Sequence, residues 1–199
     1  MAIIVEHDKR KHEILEKALD VFAEEGYNDV TFQKIADRCG ITRTTLYIYF
    51  NNKRDIFIAS LRQLLIELEI SIQSVIKDKD LNCEQTLRKM MCKIIDCCQE
   101  NYKVFNILPD YFIQLKKSGE NPHVRIQRRT IRLRHLLSTI IIQGIKNEEF
   151  KNINVHSINE LLYNQLESCF FRLSMLCITD LSEVKSTVNL AIDGIILEK

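Results

Sequence analysis

Apolar residues recur three and four positions apart along almost the whole chain, and this helical spacing limits the fold more than any other feature. The 199 residues contain only five glycines and two prolines, so loops must be short and the glycine turns that hairpins need are scarce. The sequence therefore predicts an all-α fold. The expected helices cover about residues 9–25, 32–38, 43–49, 53–76, 83–100, 102–117, 122–147, 156–177 and 181–197.

Composition is typical of a globular protein, with 46% hydrophobic and 28% charged residues and a formal charge of +1. No apolar run approaches the ~18–20 residues of a membrane span. The first residues, MAIIVEHDKRKHE, lack the long apolar stretch of a signal peptide. We therefore expect a cytoplasmic protein.

Seven cysteines occur, an odd number with no CxxC pair, and the five histidines show no ligand-like cluster. This pattern favours buried free thiols over disulfides or a zinc site, so no metal and no cofactor are expected. A redox-sensing role for Cys97 or Cys98 stays open, and it would need an exposed thiol with a lowered pKa.

Residues 30–57 are the most informative segment, because two short predicted helices meet there at a glycine turn. Gly40 suits a turn that needs a positive φ. Thr31 and Thr42 precede the two helices, where a hydroxyl can accept a backbone N–H. Leu46 would lie between the helices. Together these features predict a helix-turn-helix.

The outer face of the third helix carries side chains suited to DNA. Arg43 can donate two hydrogen bonds to a guanine, and Thr44 can bond a base edge or contact a thymine methyl group. Helix N-termini and lysine suit phosphate. The predicted DNA-binding residues are Thr31, Thr42, Arg43, Thr44, Tyr47, Tyr49 and Lys53.

Local charge supports this interpretation although the net charge does not. Residues 1–29 hold eight acids and four bases, whereas residues 30–62 hold six bases and two acids. The basic segment coincides with the predicted DNA-facing half of the motif.

Several motifs follow one another in order within about residues 9–57: Phe22-Ala23-Glu24-Glu25-Gly26-Tyr27, Gly40-Ile41-Thr42, Thr45-Leu46-Tyr47 and Tyr49-Phe50. In this order they resemble the TetR family of bacterial transcription regulators. The resemblance implies a homodimer in which residues 1–54 form a three-helix helix-turn-helix domain. Residues 55–199 would form a helical bundle for effector binding and dimerisation. The implied partners are a double-stranded DNA operator with an inverted repeat and a small-molecule effector.

The second domain offers residues for both implied roles. Aromatic side chains are candidate walls of an effector site, although an aromatic at helical spacing is more often a core residue. The last two helices carry apolar stripes that could pair with a second subunit, or bury within their own. The effector candidates are Phe105, Tyr111, Phe112, Tyr163 and Phe170, and the dimer candidates are Leu162, Leu166, Leu173, Val184, Val188 and Ile192.

Arginines cluster at the start of the seventh helix, where Arg125, Arg128, Arg129 and Arg132 share one face. This face suits an anionic effector. It suits equally a solvated stripe, or a stripe paired with acids of the first helix.

The most direct hypothesis is a ligand-responsive transcriptional regulator, acting as a repressor that its effector releases from DNA. The alternatives are an activator in the same fold and a DNA-binding helical protein without an effector. An enzyme is disfavoured, since the sequence contains no P-loop, dinucleotide-binding glycine loop, HExxH or GxSxG motif.

Overall fold

The computed structural model describes the backbone of residues 2–119 and 122–198 and the side chains of residues 7–119 and 130–198. Over this part of the chain the all-α prediction is confirmed, and no helix in it is long and apolar enough to cross a membrane. The nine helices within these residues are α1 (Ala2–Asp29), α2 (Phe32–Cys39), α3 (Arg43–Tyr49), α4 (Lys53–Ile76), α5 (Cys83–Glu100), α6 (Tyr102–Lys117), α7 (Pro122–Lys146), α8 (Val155–Ser174) and α9 (Ser182–Asp193).

The first of two hydrophobic cores holds α1, α2 and α3 together, with contributions from α4 and α6. Each short helix begins at a threonine: the Thr31 hydroxyl accepts from Lys34 N at 3.3 Å, and the Thr42 hydroxyl accepts from Thr45 N at 3.1 Å. Gly40 ends α2 with φ 67°, a left-handed conformation that glycine adopts without strain. These elements form the predicted helix-turn-helix domain.

The first helix is longer than the sequence pattern indicated. It begins at Ala2 rather than near residue 9, and a further helical turn follows Gly26 before the helix ends at Asp29. Gly26 has φ 78° and ψ 156°, so it interrupts the helix directly after residue 25, where the sequence pattern placed the helix end. This break turns Tyr27 into the core, where it is almost fully buried.

The second core lies between α5, α7, α8 and α9, with Ile72 of α4. Helices α8 and α9 end earlier than expected, at Ser174 and Asp193. After α9 the chain forms an isolated antiparallel bridge between Phe150 and Ile196. Two backbone bonds hold it, from Lys151 N to Ile195 O at 2.8 Å and from Leu197 N to Glu149 O at 2.9 Å. Non-helical pairing therefore replaces the last predicted turn.

Helix α6 connects the two cores because it packs against both α1 and α8. Tyr111 of α6 lies in the first core, with its ring centroid 5.2 Å from that of Tyr27 and 4.9 Å from that of Phe57. Phe57 lies beyond the predicted domain boundary at residue 54, yet it packs in the first core. The first core therefore includes the start of α4 and one face of α6.

Candidate nucleic-acid interface

Helix α3 presents one face to the core and the other to solvent. Leu46 is fully buried, whereas Ile48 is 70% exposed and Tyr47 is 48% exposed. Arg43 and Thr44 are also exposed. Since seven residues form only two turns, burial of one face leaves these four side chains together on the other. The structure thus brings together the residues predicted to read bases.

Arg43 is held in place by its neighbours on the same face. Its Nη2 donates to the Tyr47 hydroxyl at 3.1 Å, and its guanidinium carbon lies 5.6 Å from the centre of the Tyr47 ring. The Tyr47 ring in turn packs against Phe32, with centroids 4.5 Å apart. This packing orders the Arg43 side chain, and the guanidinium still has N–H donors that can bond a base.

Thr31 and Thr42 stand where α2 and α3 begin, as predicted, and both are exposed. Their hydroxyl oxygens accept backbone N–H groups, and the Thr42 hydroxyl also lies 2.8 Å from that of Thr45. The positive end of each helix dipole is at the same place, which favours an anion such as phosphate. The two threonines therefore act locally as caps, and their contact with DNA stays a prediction.

Lys53 has a role that the sequence did not indicate. Its ammonium donates to the carbonyl oxygens of Tyr27, Asn28 and Val30 at 2.8, 2.8 and 2.9 Å. These three bonds use every proton of the ammonium, so the predicted phosphate contact through Lys53 would require at least one of them to break. Burial lowers the pKa of Lys53, and the three bonds offset the cost of removing its charge from water. Lys53 fastens the end of α1 to the start of α4.

Tyr49, at the end of α3, contacts a residue that sequence reasoning missed. The ring of His7 stacks on it, with centroids 4.6 Å apart and planes 25° apart. Lys11 lies next to this pair, its Nζ 5.5 Å from the centre of the Phe50 ring. One signal was present in the sequence, because positions 7 and 11 share a helix face with the apolar residues Ile14 and Ala18.

Two bases of the predicted DNA-facing half are paired with acids of α1. Lys34 forms an ion pair with Glu25, and Arg38 with Glu24, with Nη1 to Oε1 at 3.0 Å. The hydrogen bond from Arg38 lowers the pKa of Glu24. These ion pairs partly cancel the charge contrast between residues 1–29 and 30–62 within the domain. The count of bases is therefore weaker support for DNA binding than the exposed position of Arg43 on α3.

The predicted effector residues separate into three groups. Phe105 and Phe112 both face Phe170, with centroids 6.3 and 6.4 Å away, so α6 and α8 bring these three rings together. Tyr111 lies in the first core, and its role in effector binding stays a prediction. Tyr163 lies elsewhere, with its hydroxyl 2.9 Å from that of Thr130 and the Arg134 guanidinium carbon 4.0 Å from the centre of its ring.

Most of the predicted dimer residues are buried in their own subunit, and their place at a subunit interface stays a prediction. Five of the six have an exposed fraction of 2% or less and belong to the second core: Leu162, Leu173, Val184, Val188 and Ile192. Leu166 is partly buried against that core. The intramolecular core thus covers the most regular apolar stripe of each helix. The outer faces expose a different set, which includes Leu161, Phe171, Met175 and Leu190.

Three members of the arginine face, Arg125, Arg128 and Arg129, lie outside the described side chains. Arg132 pairs with Glu69 of α4 at 3.4 Å, and Arg134 pairs with Glu160 of α8. For these two arginines the acids therefore come from α4 and α8 and not from α1. Beside Arg132, α4 and α7 border an open groove of about 610 Å³ with apolar side chains in its lining.

Cys97 and Cys98 do not have the properties that redox sensing needs. Burial raises the pKa of Cys97 and of Cys98, which disfavours the reactive thiolate at both. Cys177 is exposed, and no disulfide forms among the seven. Among the described residues, no group of three His, Cys, Asp or Glu side chains could hold a metal ion.

Comparison with known proteins gives the same assignment for the N-terminal region. Residues 14–60 match the family described as bacterial regulatory proteins, tetR family. The fatty acid metabolism regulator protein of Bacillus subtilis is 22% identical over 156 residues, which is 78% of each chain. The HTH-type transcriptional regulator RutR of Escherichia coli is 39% identical over 56 residues, 28% of this chain and 26% of RutR.

The fold of the whole chain also has solved counterparts. A TetR transcription regulator from Haloarcula marismortui superposes with a TM-score of 0.81 over 96% of this chain and 100% of that one, at 23% identity. This likeness extends the shared architecture through the second domain. The N-terminal region is therefore a DNA-binding region of the tetR family of bacterial regulatory proteins, and the whole chain has the fold of a TetR transcription regulator.

Proposed function

We propose that this chain is a homodimeric repressor of the tetR family that binds an inverted-repeat operator in the cytoplasm and is released by a small-molecule effector. Residues 1–54, extended by the start of α4, bind DNA. Residues 55–199 hold the effector and the second subunit. The observation that carries the proposal is the exposed face of α3, where Arg43 is ordered by Tyr47 and remains able to donate to a base.

Dimerisation follows from the small reach of one short recognition helix. A single α3 reaches few base pairs, so useful specificity needs two half-sites at a fixed spacing of about one helical turn or a multiple of it. Exposed apolar residues on α8, directly after it and on α9 supply a surface for the second copy, with Phe171, Met175 and Leu190 each more than half exposed. An exposed apolar surface of this kind favours association.

Release by an effector requires a path from the second domain to α3. Helix α4 runs from the groove beside Ile70 to Lys53, which holds the carbonyl oxygens at the end of α1. Helix α6 runs from the ring of Phe105 to Tyr111 in the first core. A ligand that displaces either helix shifts the population toward dimers whose recognition helices no longer fit successive major grooves.

The experiment compares Arg43→Ala with the wild type on an operator and on a random duplex of equal length. The operator is sought as an inverted repeat in the DNA flanking the gene. Loss of the base contact should weaken operator binding by about 1–3 kcal/mol and relax preference at one base pair per half-site. Tyr47→Phe removes the hydroxyl that holds Arg43 and should weaken binding in the same direction by less. An equal loss on both duplexes would mean that Arg43 contacts phosphate only.

A second, narrower candidate is a regulator that responds to a fatty acid, as the name of the Bacillus subtilis relative suggests. The groove between α4 and α7 supports it, because Ile66, Ile70 and Leu136 offer an apolar surface. Positive charge comes from Lys77 and from Arg132, whose exposed ion pair with Glu69 a carboxylate ligand would have to replace. Palmitate should then release the wild type from operator DNA. Arg132→Gln should weaken that response without changing DNA binding in the absence of palmitate.

A further inference from the structure

We propose that the first turns of α1 form a second phosphate-binding element, in which His7 and Lys11 contact the DNA backbone beside the end of the recognition helix. The proposal rests on the proposed function, since it requires DNA to lie along α3. It adds a contact surface on a helix outside the helix-turn-helix itself.

The placement follows from one face of α1. Positions 7, 11, 14 and 18 are four or three residues apart and lie on the same side of the helix. Ile14 and Ala18 on this face are fully buried in the first core. At 1.5 Å per residue, the helix continues about 10 Å beyond Ile14 before it reaches His7. The face that packs the core therefore extends outward as His7 and Lys11, over the end of α3.

Aromatic contacts fix both side chains against α3. The imidazole of His7 lies flat on Tyr49, with ring centroids 4.6 Å apart, while His7 as a whole remains exposed. The ammonium of Lys11 lies 5.5 Å from the centre of the Phe50 ring and makes no ion pair with a described carboxylate. Both groups are thus held in place with N–H donors still available, which reduces the entropy lost when they bind an anion.

His7 and Lys11 differ from the neighbouring basic residues of α1 in their partners and in the side of the helix on which they lie. Arg10 is paired with Glu13 at 2.9 Å, and His12 lies 3.4 Å from Glu16, so both have partners within α1. Lys9 is exposed but lies on the opposite side of the helix from Lys11. Tyr49, which stacks on His7, is itself a predicted DNA contact. Because Lys53 is bonded to carbonyl groups, Lys11 is the lysine that the structure leaves positioned at this edge of α3.

The test uses the matched pair Lys11→Gln and Lys9→Gln, which make the same change in charge two residues apart on opposite faces. Binding to a random-sequence DNA duplex is measured by fluorescence anisotropy over a range of salt concentrations. Lys11→Gln should lower the slope of log K against log salt by about 1 for each phosphate that the variant no longer neutralises. Lys9→Gln should leave the slope at its wild-type value. Lys11→Arg, which keeps the charge and can stack on Phe50, should restore it.

His7→Gln gives an independent test, because this exposed ring is not part of the core and its removal should not unfold the chain. It should weaken binding to operator and random duplexes by the same factor, with an unchanged melting temperature. Equal slopes for Lys11→Gln and Lys9→Gln, or no effect of His7→Gln, would overturn the proposal while leaving the proposed function intact. If the wild type bound no duplex at all, the proposed function itself would fail.

Discussion

The N-terminal domain and the second domain are both helical, but they differ in how far a residue's position in a helix determines its role. Helices α2 and α3 have eight and seven residues, so once one face is buried the other must face solvent. Helices α7 and α8 have 25 and 20 residues and carry apolar side chains on more than one side. In such helices, helical spacing identifies an apolar face without identifying the surface that it meets.

Val188 and Leu190 give the largest test of this difference, because they are two residues apart on α9 and have opposite exposures of 0% and 71%. Val188→Asp places an unpaired charge in the second core and should unfold the domain, with a loss of more than about 4 kcal/mol. Leu190→Asp should leave the fold intact and dissociate the proposed dimer. Chemical denaturation measures the first effect, and sedimentation measures the second.

A folded, dimeric Leu190→Asp protein would show that the second subunit does not bind at this face of α9. A folded monomeric Val188→Asp protein would reverse the assignment of the two faces. The wild type must also be a dimer at micromolar concentration without DNA, or the dimer model itself is wrong.

The next largest effect on stability depends on the close approach of Gly144 to Phe150, which helical spacing in the sequence does not reveal. A Cβ at Gly144 would lie 2.2 Å from the buried ring of Phe150, so Gly144→Ala forces the ring or the helix to move. We expect a loss of stability of up to about 3 kcal/mol. Gly194→Ala is the matched control, since the nearest atoms there lie at an ordinary 3.6 Å and φ is −61°. Thermal unfolding should separate the two variants, and similar melting temperatures would contradict the close packing of Gly144.

Lys53 tests the first domain, where its side chain makes long-range hydrogen bonds that the sequence did not indicate. Lys53→Met keeps the length of the side chain but leaves three carbonyl oxygens without their donor, so stability should fall by about 2 kcal/mol. Lys34→Met removes only an exposed ion pair with Glu25 and should cost less than about 1 kcal/mol. The salt dependence of DNA binding should not change for Lys53→Met. A reduced slope with unchanged stability would restore the phosphate contact.

Much of the first domain could be predicted because its residues act locally. Thr31 and Thr42 cap the helices that follow them, and Gly40 ends the helix that precedes it. Leu46 lies on the single buried face of a short helix. Lys53 could not be assigned, because its acceptors lie 23 to 26 residues earlier in the chain. The packing of Tyr111 in the first core could not be predicted for the same reason, because its partner Tyr27 belongs to another helix and to the other predicted domain. The sequence pattern therefore predicts where the helices lie, but it does not predict contacts between residues that are far apart in the chain.

The smallest expected effect concerns the helix N-cap, a feature that occurs in both domains. Thr42 caps α3 and Asn154 caps α8, each accepting a backbone N–H three residues later at 3.1 Å. Thr42→Ala and Asn154→Ala should therefore cost a similar free energy of unfolding, about 1 kcal/mol each. Only Thr42→Ala should weaken DNA binding, since its hydroxyl lies at the N-terminus of the recognition helix. Denaturation curves and anisotropy on the same samples test both statements. If Asn154→Ala weakened DNA binding as much as Thr42→Ala did, the effect of Thr42 would be one of stability alone, and its predicted phosphate contact would be wrong.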